Sequence, residues 1–189
     1  MKRHFLFGLI VLLTLASQAQ KIEKESRIAS EKVPTKALEF IFNATASSKI
    51  KWYYEKNELG NSYEAKFLLK KQKVSVEFDL KGNLQDVEIE ISKSKIPSKI
   101  RKQMRKYFKI YFNKYRILKV QKQFRGEDKP IIESIKSFSI LKNPPTFFEI
   151  VVIGKKVDNV HSTEFLFDAE GNLIGSKKVV EKNSDHLTF

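Results

Sequence analysis

The 189-residue sequence contains no cysteine, so it has no disulfide to staple it and no lipobox thiol for a lipid anchor. Its seven glycines include no phosphate-cradling run. There is no G-x-S-x-G elbow. Beyond His4, the histidines are His161 and His186, without HExxH spacing, a neighbouring cysteine or an evident acidic orienter. His161 is expected on an exposed hairpin and His186 in a polar tail. Glu88 and Glu90 share a strand face by alternation, which is ordinary for surface acids. These absences predict no enzyme, no cofactor and no metal.

Long apolar runs are also scarce. The one present extends from Phe5 to Ala16 and falls well short of the roughly 20 residues of a comfortable bilayer span. It follows Lys2, Arg3 and His4 and precedes Ser17 and Ala19, the layout of a secretory signal peptide cleaved near Ala19. The alternative is an uncleaved N-terminal anchor. Cleavage predicts an exported protein, periplasmic or extracellular, with no transmembrane segment in the mature chain. The remainder is long enough for a core without disulfides, and its 13 Phe (the chain's 15 less Phe5 and Phe7), six Tyr and one Trp supply bulky material for it.

Acidic residues are missing from one long stretch. Between Ile91 and Arg125 there are 13 Lys and Arg and no Asp or Glu, whereas the formal charge of the whole chain is +14. One segment carries the basicity.

Residues 20–32 are polar and charged and read as a mobile polar leader. Val33-Pro34 opens a helix whose apolar positions Val33, Ala37, Leu38 and Ile41 recur at helical spacing. Four strand-like stretches follow at 49–56, 63–71, 73–80 and 84–92. Val74, Val76 and Phe78 alternate with Ser75, Glu77 and Asp79; Val87, Ile89 and Ile91 alternate with Glu88 and Glu90. Such alternation predicts an antiparallel sheet with one face buried and one wet.

The pattern then restarts. Ile96-Pro97 repeats Val33-Pro34 and opens a second helix, with Ile100, Met104, Tyr107, Phe108, Tyr111 and Tyr115 in one apolar stripe. Strands are expected at 116–124, 147–156, 161–169 and 173–181. Phe-Asp-x-x-Gly-Asn-Leu occurs at Asp79 and again at Asp168. These copies lie farther apart than the two helix starts do. The excess falls mostly in 126–145, whose apolar middle suits an added strand or a displaced counterpart of 49–56. The sequence thus reads as two tandem helix-plus-meander units, 33–92 and 93–182, followed by a polar tail at 183–189.

The repeated motif offers too few oxygen donors for a calcium loop, and Lys81 lies inside its first copy. As a turn it accounts for every residue: Asp caps the turn's backbone, Gly takes the left-handed conformation, and Leu returns the chain to the core.

Val-Pro or Ile-Pro at the helix start, a Trp-containing strand, "YEAKF", "VSVEFDLKGNL" and "VEIEI" together resemble the PepSY-like domains of exported Bacteroidetes proteins. These share a fold with the beta-lactamase inhibitor protein. The resemblance spans about 33–181 and is loosest across 126–145. It implies an α+β fold of tandem helix-plus-antiparallel-meander units, one antiparallel sheet carrying its helices on one face. It also implies a periplasmic or secreted binding module, engaging or inhibiting an envelope protein such as a peptidase. No inhibitor contact residue can be matched to this sequence.

Two sets of candidate contact residues follow. Trp52, Tyr53 and Tyr54 are consecutive, so at least one points away from the core, and Trp52 and Tyr54 are candidates for partner binding. On the second helix, Lys99, Arg101, Lys102, Arg105, Lys106 and Lys109 should form a solvated positive face. That face is expected to be plain surface, to steer an acidic protein partner, or to lie against anionic lipid or lipopolysaccharide. Nucleic acid is not expected, because export removes the chain from it and Tyr107, Phe108 and Tyr111 are needed for packing.

Overall fold

Among the described residues there are nine strands: β1 (Gln20–Ile28), β2 (Lys51–Asn57), β3 (Gly60–Leu69), β4 (Gln72–Phe78), β5 (Leu84–Glu90), β6 (Lys114–Phe124), β7 (Phe147–Lys156), β8 (Asn159–Asp168) and β9 (Leu173–Glu181). Three α-helices, α1 (Thr35–Ala44), α2 (Ser98–Tyr111) and α3 (Asp128–Lys136), interrupt them. This computed structural model describes residues 20–57, 60–157 and 159–181. The predicted signal peptide (1–19) and polar tail (183–189) lie outside the described residues.

Each strand pairs with the next in the chain, antiparallel throughout. A short parallel contact of Gln20–Glu23 with Lys178–Glu181 joins β1 to β9 and closes the sheet into a barrel. A nine-stranded barrel is too narrow to hold three helices, so they cover its outer surface. The result is an α+β fold with the helices on one face, as the family resemblance implies.

Packing falls into two clusters. Ala37, Phe40, Ile41 and Ala44, at helical spacing on α1, meet Trp52, Ala65, Phe67, Val74, Val76, Phe78, Val87 and Ile89 from β2–β5. Met104 and Phe108 of α2, with Phe112 just beyond it, meet Phe148, Ile150, Val152, Phe165 and Phe167 from β7 and β8. Burying each of the Val, Ile, Met and Phe side chains among them contributes about 1.5–3 kcal/mol.

Two expectations need correction. Gln20–Ile28 is strand β1 and not a mobile leader, because its backbone completes the sheet beside β2 and Ile28 packs on the first core. The segment 126–145 supplies neither a strand nor a displaced copy of 49–56. It contains α3, whose Ile131 and Ile135, at i and i+4, bury one helical face beside α1; Ile140 follows them into the same core. This excess segment therefore completes the core built on α1.

The repeated turn now has a structural account. Asp79 accepts hydrogen bonds from the Lys81 and Asn83 backbone N–H groups at 2.8 and 2.9 Å and from Asn83 Nδ2 at 2.7 Å. Asp168 repeats this with Glu170, Asn172 and Asn172 Nδ2 at 3.0, 2.7 and 2.8 Å. What burial these carboxyls have would raise their pKa, yet the Asn83 and Asn172 hydrogen bonds outweigh it and hold both below the usual range. Gly82 (φ +80) lies against the start of α1, and Gly171 (φ +88) against Ile100 of α2. A Cβ on Gly82 would stand 3.0 Å from Ala37 N and Pro34 Cβ; one on Gly171 would stand 3.1 Å from Ile100 Cγ2. Each motif is a turn docked on its own helix. Gly82→Ala and Gly171→Ala should each lower the unfolding free energy by about 1–2 kcal/mol in urea titrations. A loss at only one of them would show that the two turns are not equivalent.

Candidate functional site

The side chains that alternate with the core line the inside of the closed sheet, and carboxylates dominate them. Strand pairing places Glu25 opposite Glu55, Tyr53 opposite Glu64, Glu64 opposite Glu77, and Glu77 opposite Asp86. It continues with Glu88 opposite Gln123, Gln121 opposite Glu149, and Val151 opposite Glu164. Ser62, Glu64, Asp86, Gln121, Gln123 and Glu164 are buried although no helix covers this face.

Near β1–β3 the acids are partly neutralised. Lys66 Nζ lies 3.0 Å from Glu25 Oε1, 2.9 Å from Glu64 Oε2 and 4.8 Å from the centre of the Tyr53 ring. Burial alone would lower the Lys66 pKa, but Glu64 and Glu25 outweigh it and raise it. Glu55 is pushed up to about 9, first by burial and then by the charge and hydrogen bond of Glu64 and the charge of Glu77, against the pull of Lys66. Carboxylate oxygens of Glu25, Glu55 and Glu64 all lie within 4.8 Å of one another, a spacing that could hold a metal ion. The Lys66 ammonium, however, already bridges two of the three, so this cluster reads as an internal charge network.

Near β4–β6 the arrangement differs. Gln121 Nε2 and Gln123 Nε2 both donate to Glu88, the latter at 3.2 Å. Both glutamine Oε1 atoms and Asp86 Oδ1 are buried without a hydrogen-bond donor. The nearest cation to Asp86 is Arg125, 3.8 Å from Oδ2 and half exposed, with its guanidinium 5.2 Å from the Phe147 ring. Asp86 is pushed up to about 8 by burial, then by Glu88 and Glu77, with Arg125 opposing. This corner has acceptors in excess of donors.

Beyond it the inner face turns apolar. Phe147, Val151, Ile153 and Leu166 are half-buried there and belong to neither core. The inner surface thus joins an acidic half to an apolar strip.

The residues expected from sequence fall elsewhere. Trp52 is in the core, 6.0 Å from the Phe78 ring, because its place in the alternation points it outward beneath α1; as a contact residue it is corrected. Tyr54 shares that side, is half-buried and pairs with Tyr63 at 5.2 Å. Tyr53 is the one of the three on the inner face. On α2, Lys99, Lys102, Arg105, Lys106 and Lys109 are exposed and Arg101 half-exposed, and no carboxylate among the described residues pairs with them. The basic face lies on the outside of the sheet. The acidic inner face is not among the sequence-derived candidates, although "YEAKF", "VSVEF", "VEIEI", "FFEIV" and "TEFLF" all put Glu at the alternate positions. Each strand taken singly shows ordinary surface acids; the signal lies in their recurrence across strands.

Among the described residues no helix is long and apolar enough to cross a membrane. No protein-family model and no curated protein sequence matches the chain. Among solved structures it is similar to a candidate periplasmic protein from Bacteroides eggerthii, with 13% identity, TM-score 0.52, and 77% of this chain and 88% of that chain covered. It is also similar to a DUF2874 family protein from Bacteroides uniformis, with 11% identity, TM-score 0.50, and coverage of 77% and 89%. A BLIP-like protein from Bacteroides fragilis aligns at 19% identity and TM-score 0.46 over 81% and 92%. At this identity the first two are likenesses of fold.

Proposed function

We propose that the chain is an exported, non-catalytic binding protein of the PepSY-like type that takes a protein partner on the inner face of its sheet. The observation that carries this is the junction of unsatisfied acidic surface with the strip Phe147, Val151, Ile153 and Leu166, which neither core uses. Half-exposed apolar side chains beside charged groups suit a protein surface, where apolar area gives affinity and charge gives orientation. Export rests on the Phe5–Ala16 run and accords with the candidate periplasmic neighbour. Inhibition of an envelope peptidase is the role that the family resemblance suggests.

A second reading is favoured by one observation, the unpaired cations of α2. Lys99, Arg101, Lys102, Arg105, Lys106 and Lys109 could hold the outer surface against anionic lipid or lipopolysaccharide, at about 1 kcal/mol for each charge near the surface.

Cross-linking capture from an envelope extract tests both, with the chain from Gln20 onward as bait. One protein recovered stoichiometrically at physiological salt, and reduced at least tenfold by Val151→Ser with Leu166→Ser, is the expected result. Changing Lys99, Arg101, Lys102, Arg105 and Lys106 to Gln should leave that recovery unchanged. Recovery of lipid or lipopolysaccharide alone, lost with the Gln bait, would replace the first reading with the second.

A further inference from the structure

Resting on the inner-face reading, we propose that the partner inserts an arginine side chain between β4 and β6, against Glu77, Asp86, Glu88, Gln121 and Gln123. Asp86, Gln121 and Gln123 are each 4% exposed, and each holds an oxygen with no donor. The orientation of both glutamines is set by Glu88, which accepts one amide N–H from each. Their oxygens must then face away from Glu88. A buried acceptor left without a donor is destabilising, so a ligand rich in N–H groups offsets that loss.

The spacing selects the kind of donor. A calcium ion needs six or more oxygens at about 2.3–2.6 Å from one point. The carboxylates here do not converge in that way; among the described residues only Glu25, Glu55 and Glu64 do, and Lys66 sits among them. Asp86 and Glu88 are two residues apart on β5, about 6.7 Å along the strand. A lysine ammonium is a point charge that serves one end of such a span. A guanidinium spreads five N–H donors over a planar fork and reaches both ends.

The surroundings select a protein as its carrier. Phe147 is the strand partner of Gln123, so an apolar wall borders the acceptors and continues into Val151 and Leu166. That wall suits the aliphatic stem of an arginine and the residues flanking it. Half-buried Glu77 and Glu88 leave the corner open to solvent. The chain's own Arg125 stacks on Phe147 at the rim but leaves Asp86 Oδ1 and both glutamine oxygens unserved.

The probe is the capped pentapeptide Gly-Gly-Arg-Gly-Gly, with citrulline and lysine versions as controls, titrated at millimolar concentration into the ¹⁵N-labelled chain from Gln20. The Gln121 and Gln123 side-chain amide signals should shift and saturate with the arginine peptide. Citrulline, which keeps the shape and loses the charge, should bind at least tenfold more weakly, and lysine severalfold more weakly. A guanidinium held here should displace the proton that Asp86 keeps at neutral pH, so Asp86→Asn, and separately Glu77→Gln, should each weaken the arginine peptide at least threefold while the backbone spectrum stays folded. No shift, or equal shifts with citrulline or lysine, would overturn the proposal. The two readings fail separately: a captured protein that tolerates Asp86→Asn but is lost with Val151→Ser and Leu166→Ser would sink the arginine site and keep the inner face, whereas recovery of lipid or lipopolysaccharide alone would sink both.

Discussion

Gly154→Ala should lower the unfolding free energy by about 3 kcal/mol, and the melting temperature by roughly 6–12 °C for a chain of this size. Gly154 lies on β7 beneath Phe112, the residue that ends α2. A Cβ at this position would stand 2.3 Å from Phe112 Cγ, 2.4 Å from Cδ1 and 2.9 Å from Cβ. Neither partner can retreat. Phe112 is 2% exposed and is ringed by Tyr111, His161 and Phe165. The β7 backbone is held by its pairing with Tyr115 on one side and His161 on the other. The added methyl must therefore move the end of α2 or bend the sheet. Gly175→Ala is the control, since nothing lies within 4 Å of a Cβ there, and it should change stability by less than about 0.5 kcal/mol. Urea titrations of both variants check the pair. A cost below about 1 kcal/mol at Gly154 would mean that Phe112 does not pack on β7 as described.

Gly154 also shows what a sequence reveals and what it withholds. "FFEIVVIGKK" announces a strand through its apolar residues, but an isolated glycine says only that something approaches closely. What approaches is Phe112, remote along the chain and brought near only by the folded helix. Both main helices and eight of the strands are legible because their apolar spacing is local. β1 is not, because it pairs both with Trp52 on β2 and with β9 at the far end of the chain, while its own side chains are mostly polar. α3 does leave a mark: Pro130 in the first turn, and Ile131 and Ile135 at i and i+4, are helical signs. They compete with an apolar run that suits a strand equally well. The candidate site is hidden for a further reason. Alternation shows which residues avoid the core, but not that the sheet curls until those residues face one another. Glu64, Glu77 and Asp86 belong to three successive strands, and only the register of β3, β4 and β5 sets them side by side.

That crowding should make stability fall as pH rises through neutrality. Glu55 and Asp86, held up to about 9 and about 8, keep their protons in the folded chain where the unfolded chain has lost them. The folded state then binds more protons than the unfolded state between about pH 4.5 and pH 8, so each unit of pH weakens folding. Each group contributes on the order of 1 kcal/mol per unit, so the expected loss from pH 6 to pH 8 is a few kcal/mol. The groups facing Glu55 are Glu64 and Lys66 on β3, Glu77 on β4 and Glu25 on β1; those facing Asp86 are Glu88 beside it, Glu77, Glu64 and Arg125. His161 acts the other way. Burial, then Lys178 and Lys156, hold its pKa down, so it weakens folding only as pH falls through the ordinary histidine value. Lys66, its pKa raised by Glu64 and Glu25, holds its proton across the whole window. Glu55→Gln with Asp86→Asn should therefore abolish most of the slope and leave the variant more stable than the parent at pH 8. Urea titrations at pH 6, 7 and 8 read this directly. A parent protein whose stability is flat or rises over that range would show that these carboxyls are ionised, and that cations or solvent reach the inner face in a way the packing of β1–β6 does not provide.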